Sequence, residues 1–471
     1  MQRTLYLELA DQLYEQIKKG VYRSGDRLPS VREQSHRLGV SVSTILQAYG
    51  VLQDRRLIEA QPQSGYYISR PVQLPRPPAT SAPEAHPTEV SISEMALEIV
   101  QSNERPGTVQ LGTALPNIET PAIRRLHRSL ATIARSNTRN RSSYAFPPGN
   151  AELRLQIARR GVDAGFSLAP EEVVITNGCQ EALVLALRAV AGAGDTVAIE
   201  SPVFYGALQA IESLGLKTVE IPTDPNIGIS LEALQMVLEQ WPVKALVLIP
   251  NFSNPSGYCM PDTRKKALIE LLARHDLPLI EDDIYADLGF STSRPKAIKA
   301  WDQDGRVLLC SSISKTLDPG LRIGWVLPGR YRKQVQHLKL VTSMATATLP
   351  QLAVADYLEH GGYDKHLRTV RSNYRRNRDL CMEAIARNFP AETRATHPEG
   401  GFLSWVELPA QCDSLSLYRQ AMAQNITIAP GPLFSPTQKY RNFIRLNYGQ
   451  AWDKRTELAL CTLGELIGKL A

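Results

Sequence analysis

The chain has 471 residues, with 53 Lys and Arg against 47 Asp and Glu for a formal net charge of +6. That length is too great for one ordinary domain, and so mild a charge excludes a whole surface given over to nucleic acid, so any DNA contact must belong to a local module. The six cysteines are dispersed, with no C-x-x-C pair and no histidine at metal-ligand spacing, so a reduced, cytoplasmic setting without a metal is expected. No run of eighteen uncharged apolar residues occurs, and the opening MQRTLYLELADQLYEQ has no apolar segment before a cleavage site, so neither membrane insertion nor export is expected.

In residues 4–19, Leu5, Leu9, Leu13 and Ile17 recur at helical spacing with Gly20 and Gly25 beyond, which predicts a first helix. In LPSVREQSHRLGVSVSTILQAYGVLQDRRLI, Ser30 is placed to cap a second helix, and Glu33 three residues on predicts a capping box. Gly39 then supplies a turn, and Ser41 caps a third helix running to about Arg55. Two helices joined by a tight glycine turn predict a helix-turn-helix, and Leu57 to Ile68, bending at Gly65, predicts a two-stranded wing. Ser41, Ser43 and Thr44 fall at the start of the third helix, where short hydroxyls reach phosphates or base edges, and Arg27 and Arg32 are candidate phosphate contacts. A helical dimerisation unit with solvated arginines would show much the same spacing.

The string GDRLPSVREQSHRLGVSVSTILQAYGVLQDRRLIEAQPQSGYYIS resembles the winged helix-turn-helix of GntR-type bacterial regulators over nearly its whole length. Members of that family often carry arginine after the first serine of the recognition helix. Here that residue is Val42, so base readout falls on other side chains.

Composition changes near residue 71, where PVQLPRPPATSAPEAHP predicts an extended, semi-stiff linker over residues 71–105. Beyond it, segments such as EEVVITNGCQEALVLALRAVA and DLPLIEDDIYADL alternate short apolar runs with helical stretches, predicting a largely parallel sheet covered by helices. A smaller α+β subdomain is expected at the C-terminus, where HLRTVRSNYRRNRDLCMEAIARN precedes GFLSWVEL and NFIRLNYG. The expected fold class is therefore multidomain: a mostly helical winged helix-turn-helix over residues 1–70, then the linker, then an α/β domain over residues 106–471.

Chemistry concentrates in the stretch SSISKTLDPGLRIGW, residues 311–325. Ser312 and Lys315 satisfy S-x-x-K, but the S-D-N and K-T-G strings that a serine β-lactamase needs do not occur. Other stretches supply what an aldehyde cofactor with a phosphate and a pyridine ring requires. In VVITNGCQEAL a strand precedes Asn177-Gly178 and a helix follows, so the amides of Gly178, Cys179 and Gln180 form a phosphate cradle. Asp282, at the end of an apolar strand, is placed to pair with a protonated ring nitrogen. Asn254 and Tyr285 are candidates for the ring hydroxyl, and Phe204 or Tyr205 for stacking on the ring. Taken singly, each of these positions has an ordinary structural reading.

In their order along the chain, these motifs resemble the fold-type I aminotransferases that use pyridoxal 5'-phosphate, over roughly residues 110–471. The resemblance implies that Lys315 bonds the cofactor's aldehyde, Asp282 holds the pyridine nitrogen, Asn254 and Tyr285 bind the ring oxygen, and Ser312, Ser314 and Arg322 hold the phosphate. It further implies that Arg445 takes a substrate carboxylate and that Tyr144 reaches the phosphate of a neighbouring subunit, hence a homodimer with twofold symmetry.

Head, linker and aminotransferase-like domain together resemble the MocR subfamily of transcription regulators. That implies a regulator of double-stranded operator DNA whose effector is an amino compound or pyridoxal phosphate itself, in the cytoplasm and associated with the nucleoid. A working aminotransferase carrying an accessory head stays open, because every matched cofactor position is present. A cofactor-free structural dimer leaves the lysine, aspartate and cradle unexplained.

Overall fold

The computed structural model describes residues 5–22, 25–55, 57–61, 64–69, 74–102, 107–135, 143–360 and 362–471. The chain divides into two compact units, Met1–Gln73 and Leu74–Ala471.

In the first unit, the head, α1 (Leu5–Lys18) buries Leu9, Ala10 and Leu13, while Leu5 at the end of the expected stripe is exposed. Helix α2 (Val31–Leu38) begins at Ser30, whose Oγ accepts the Glu33 N–H at 3.2 Å, the half of the expected capping box that is formed. It ends at Gly39, whose φ of 65° is the left-handed turn that glycine adopts without strain. Helix α3 (Val42–Asp54) turns Ile45, Ala48, Tyr49 and Leu52 onto α1. Tyr49 is fixed by donating to the Pro29 carbonyl at 2.8 Å, which ties the middle of α3 to the start of α2. Strands β1 (Ile58–Gln61) and β2 (Gly65–Ile68) pair antiparallel, forming the expected wing.

The expected linker is only partly a linker. Residues 71–73 and 103–105 lie outside the described residues, and residues 74–87 lack regular structure. The chain then forms β3 (Thr88–Glu89), paired with a strand of the large unit, and α4 (Ser93–Ser102). Val90, Ile92, Ala96 and Ile99 enter the large core. Proline content correctly argues against helix in residues 74–87, but these four apolar side chains gain more from burial than an extended connector could give them.

The second unit, the body, continues with β4 (Val109–Gln110), α5 (Pro121–Arg135), α6 (Ala151–Gly161), β5 (Val174–Thr176), α7 (Cys179–Val190), β6 (Thr196–Ser201), α8 (Tyr205–Ser213), β7 (Lys217–Asp224), β8 (Gly228–Ile229), β9 (Val243–Leu248), β10 (Leu279–Asp282), β11 (Val307–Ser312) and β12 (Gly324–Leu327). Among the described residues the main sheet runs β3-β7-β6-β9-β10-β11-β12-β5, with β8 beside β7. The central strands β7, β6, β9, β10 and β11 are parallel, and β12 is antiparallel to both its neighbours. Every residue of β6 and β11 is buried, as expected of parallel strands covered on both faces. Because β12 reverses direction, β5 again points the same way as β11. Thr176, Gly324 and Ser312 therefore lie in register across one edge, and Asp282 ends β10 at that edge too.

The 26-residue helix Tyr363–Asn388 leads to a smaller sheet ordered β13 (Arg394–Ala395), β14 (Leu403–Glu407), β17 (Phe443–Asn447) and β16 (Ala429–Pro430). Strand β15 (Ile426–Thr427) pairs instead with β4. An antiparallel sheet after a long helix is the α+β arrangement expected of the C-terminal part.

Candidate cofactor and DNA-binding sites

Chain reversal between β5 and α7 builds the anion cradle. Gly178 has φ of 80° and begins α7, leaving the first amides of the helix without intrahelical acceptors. A Cβ at Gly178 would collide with the Arg322 guanidinium, so glycine is required both by backbone angle and by space. Arg322, itself in the left-handed region at φ 53°, donates to Ser314 Oγ and to the Asn177 carbonyl, each at 3.4 Å. Ser312 is buried and its Oγ accepts the Ser314 N–H at 3.1 Å. The Gln180 side chain turns away to donate to the Gly206 carbonyl at 2.7 Å, so this residue offers the cradle its backbone amide alone.

Lys315 lies half-buried just past β11, with Nζ donating to the Ala114 carbonyl at 2.6 Å. Burial and the neighbouring Arg445 push its ammonium down to about 8, against the opposing pull of Asp282. Asp282 is pushed up to about 6 by burial, although the Cys179 thiol donates to its Oδ1 at 3.5 Å and the Ile284 amide at 3.2 Å. Cys179 thus contributes a side chain as well as an amide, and burial beside Asp282 holds its thiol protonated by pushing it well above the ordinary range.

Arg445, on β17, is wholly buried. Its Nη1 donates to Asn254 Oδ1 at 3.0 Å and its Nη2 to the Gly112 carbonyl, while its Nε has no hydrogen-bond partner among the described residues. The guanidinium lies 5.2 Å from the Phe434 ring centroid and 6.0 Å from that of Tyr205, which provides cation–π contact in place of a carboxylate. Asn254 Nδ2 in turn donates to Tyr285 Oη at 3.4 Å, and burial pushes the Tyr285 phenol upward. The Tyr205 ring faces Arg445 and Phe434, and Phe204 packs on Tyr205 at 4.9 Å.

One cluster therefore contains the cradle, Lys315, Asp282, Asn254, Tyr285, Tyr205 and Arg445. Tyr144 does not join it within one chain: it is 69% exposed, with its ring 5.4 Å from Phe146. Several groups are invisible to motif reading. Gly112 and Ala114 hold the arginine and the lysine through their carbonyls, and Tyr363 and His366 grip Thr316, next to the lysine, at 2.7 and 2.9 Å. Backbone carbonyls carry no residue-type signal, so spacing alone could not have found Gly112 or Ala114.

The donor set fits pyridoxal 5'-phosphate. The cradle has room only because Gly178 lacks a Cβ, the amine of Lys315 is shifted toward its neutral form, Asp282 lies beside it, and a buried arginine keeps an unused N–H. Among the described residues, no group of three or more His, Cys, Asp or Glu could hold a metal ion, and no helix is long and apolar enough to cross a membrane.

In the head, Ser41 Oγ accepts the Thr44 N–H at 3.2 Å and shares hydrogen bonds with the hydroxyls of Ser43 at 2.8 Å and Thr44 at 2.7 Å. Ser41, Val42 and Ser43 are exposed at the start of α3, as are Arg27, Ser30 and Arg32 nearby in sequence. The Arg27 side chain runs beside Gly65 at the turn end of the wing.

A winged helix-turn-helix on a body of this kind defines a DNA-binding regulator built on an aminotransferase fold. Residues 5–68 match the gntR family of bacterial regulatory proteins, and residues 114–459 match aminotransferase class I and II. The chain is 42% identical to the uncharacterized HTH-type transcriptional regulator YjiR of Escherichia coli, over 98% of this chain and 99% of YjiR. It is 30% identical to aromatic-amino-acid aminotransferase 1 of Thermococcus litoralis, over 79% of this chain and 90% of that enzyme. The structure of LysN, the α-aminoadipate aminotransferase of Thermus thermophilus, superposes with a TM-score of 0.72 at 28% identity, covering 81% of this chain and 99% of LysN; it was solved with N-(5'-phosphopyridoxyl)-L-leucine. The chain belongs to the class I and II aminotransferase family through its body and to the GntR family through its head, the combination that marks the MocR subfamily of regulators.

Proposed function

We propose that the protein is a pyridoxal-phosphate-dependent transcription regulator. Its head binds double-stranded operator DNA, and its body senses an amino compound that bears a carboxylate. The carrying observation is that Lys315, Asp282 and Arg445 share one site in a chain whose other unit is a winged helix-turn-helix.

When bound, the cofactor supplies an aldehyde and an electron-withdrawing ring. The chain's own residues do the rest. Lys315, which burial and Arg445 push down to about 8, holds its proton less tightly than an ordinary lysine and is the amine that would bond the cofactor's aldehyde. Asp282, pushed up to about 6 by burial yet ionised above it, would hold a proton on the ring nitrogen. The amides of Gly178, Cys179 and Gln180, with Ser312, Ser314 and Arg322, would hold the phosphate, and Asn254 with Tyr285 would orient the ring oxygen. Arg445 offers its Nε–H to a carboxylate in a site from which water is largely excluded, where one charge-assisted bond counts for more than at a surface. Tyr144, exposed on its own chain, would reach the phosphate of the partner's site in an isologous dimer.

An aminotransferase is the second reading, favoured by the presence of every one of these groups. Incubating the cofactor-loaded protein with amino acids separates the two. A regulator binds one compound with a lasting spectral change, whereas an aminotransferase releases a keto acid that accumulates over many turnovers. Removal of residues 1–70 abolishes salt-sensitive binding to a selected DNA duplex if the head carries it, and unchanged binding refutes that assignment.

A further inference from the structure

The part of the expected linker that packs on the body does so at one particular place. Residues 80 and 81 run along the end of β7: Thr80 Oγ1 donates to Asp224 Oδ2 at 2.9 Å, and the Ser81 N–H donates to the Thr223 carbonyl at 3.1 Å. The Ser81 hydroxyl returns the contact by accepting the Thr223 N–H at 2.8 Å. Thr223 Oγ1 accepts the Ser201 N–H at 3.1 Å, so the connector is bonded to the end of β7, which is itself bonded to the end of β6.

Ser201 is also where the two sheets of the body meet. Its hydroxyl donates to buried Glu220 at 2.6 Å and accepts from the Tyr440 phenol at 2.7 Å. Tyr440 comes from the smaller-sheet side, in the segment between β16 and β17, and it also faces Ser81. On its other side Tyr440 packs against Trp405 at 5.8 Å, and Trp405 packs against Phe434 at 5.2 Å. Phe434 is the ring that covers the Arg445 guanidinium. Trp405 and Arg445 are cross-strand partners on β14 and β17, so a shift of one displaces the other. Contacts without a gap thus run from the unpartnered N–H of Arg445 to the hydroxyl of Ser81.

We propose that Tyr440, Ser201 and Ser81 form a hydroxyl latch at the junction of the two sheets, through which capture of a carboxylate at Arg445 is transmitted to the connector that leads to the DNA-binding head. This rests on the regulator reading above and adds to it the residues that carry the signal. Arg445 lies on the smaller sheet and Lys315 on the larger, so a ligand held by both pulls the smaller sheet relative to the larger one. Tyr440 moves with the former and Ser201 with the latter, so among the contacts across this junction, which include the Val203 N–H donating to the Phe434 carbonyl at 3.0 Å and the Lys439–Glu220 ion pair at 3.4 Å, theirs is the one that also meets Ser81. Ser81 sits on that contact, so its bonds to Thr223 differ between the two arrangements. A ligand can bias the head only through such a difference between two states. Tyr440, Ser201 and Ser81 are positioning residues here, with no role in holding the cofactor.

The test uses the full-length protein and N-(5'-phosphopyridoxyl)-L-leucine, a stable compound that unites cofactor and amino acid, compared with pyridoxal phosphate alone. Amide exchange is read at Ser81 and Thr223. One neutral hydrogen bond made or lost alters a local opening equilibrium about fivefold, and a change of that size between the two ligands is expected in the wild type. Tyr440→Phe and Ser81→Ala should bind the adduct with wild-type affinity yet lose that difference, and Ser81→Thr, which keeps the hydroxyl, should retain it. The latch is overturned if the wild type binds the adduct with no change at these amides, or if both variants respond as the wild type does. Failure of the wild type to bind the adduct at all defeats the cofactor-site reading instead.

Discussion

The head and the body hold their functional groups in opposite ways. At the start of α3 the head exposes Ser41, Val42 and Ser43, short side chains supported by a helix cap and hydroxyl contacts within one turn. The body buries Arg445, Asp282, Asn254 and Tyr285 and ties each to another. A surface that reads DNA relies on many weak, salt-sensitive contacts, so single losses there are modest. A buried site depends on each group being in place, because any group left unpaired costs the full penalty of desolvation. Substitutions in the body should therefore be severe and specific to the cofactor, and those in the head mild and specific to DNA.

The largest effect expected is at Lys315. After borohydride reduction the wild type should carry cofactor mass on the peptide containing Lys315, and Lys315→Ala should carry none; cofactor mass retained in the variant would end the assignment. Next comes Gly178→Ala, which places a methyl group against Arg322 at a φ of 80°. Strain of about 1 kcal/mol or more plus the lost cradle should weaken cofactor affinity by at least about tenfold, measured by spectral titration, with DNA binding of the cofactor-free protein unaltered.

A third expectation concerns pH. Burial raises Asp282 to about 6, Glu281 to about 7 and Glu200 to about 8, whereas unfolded carboxyls titrate near 4. At these three carboxyls the folded body binds more protons than the unfolded chain between about pH 4 and 8, so their contribution to the stability of the cofactor-free protein falls as pH rises through that window, against the opposite contribution of His366 and His397, which burial pushes down. Denaturant midpoints that climb steadily from pH 5 to 8 would contradict this, and Glu200→Gln should flatten the slope. The smallest effect is in the head: Ser41→Ala removes the cap that holds Thr44 N–H and should cost the head about 1 kcal/mol. Ser41→Asp keeps the cap but places a negative charge where phosphates approach, so it should preserve thermal stability while weakening DNA binding.

What can be read from sequence differs between the regions for the same physical reason. Helix caps, the Gly39 turn and the cradle at Gly178 are local rules, and Ser30, Ser41 and Gly178 hold the positions those rules assign them. The packed part of the expected linker is masked by the proline content of residues 71–105. Val90 and Ile92 nonetheless alternate as in a strand, and Ala96 and Ile99 fall at helical spacing, a signal too short to outweigh the prolines. The surroundings of Arg445 cannot be read at all: Gly112 lies 333 residues away in the chain and contributes a carbonyl, which every residue type possesses.

The most direct test of the link between cofactor site and head is the affinity of the full-length protein for a duplex it selects from a random pool. Affinity would be measured without cofactor, with pyridoxal phosphate, and with N-(5'-phosphopyridoxyl)-L-leucine. A regulator of this design should show affinity in the adduct state differing from the cofactor state by about fivefold or more, with the difference absent in Tyr440→Phe. Equal affinity in all three states, with the ligands shown to be bound, would mean that the body does not control the head.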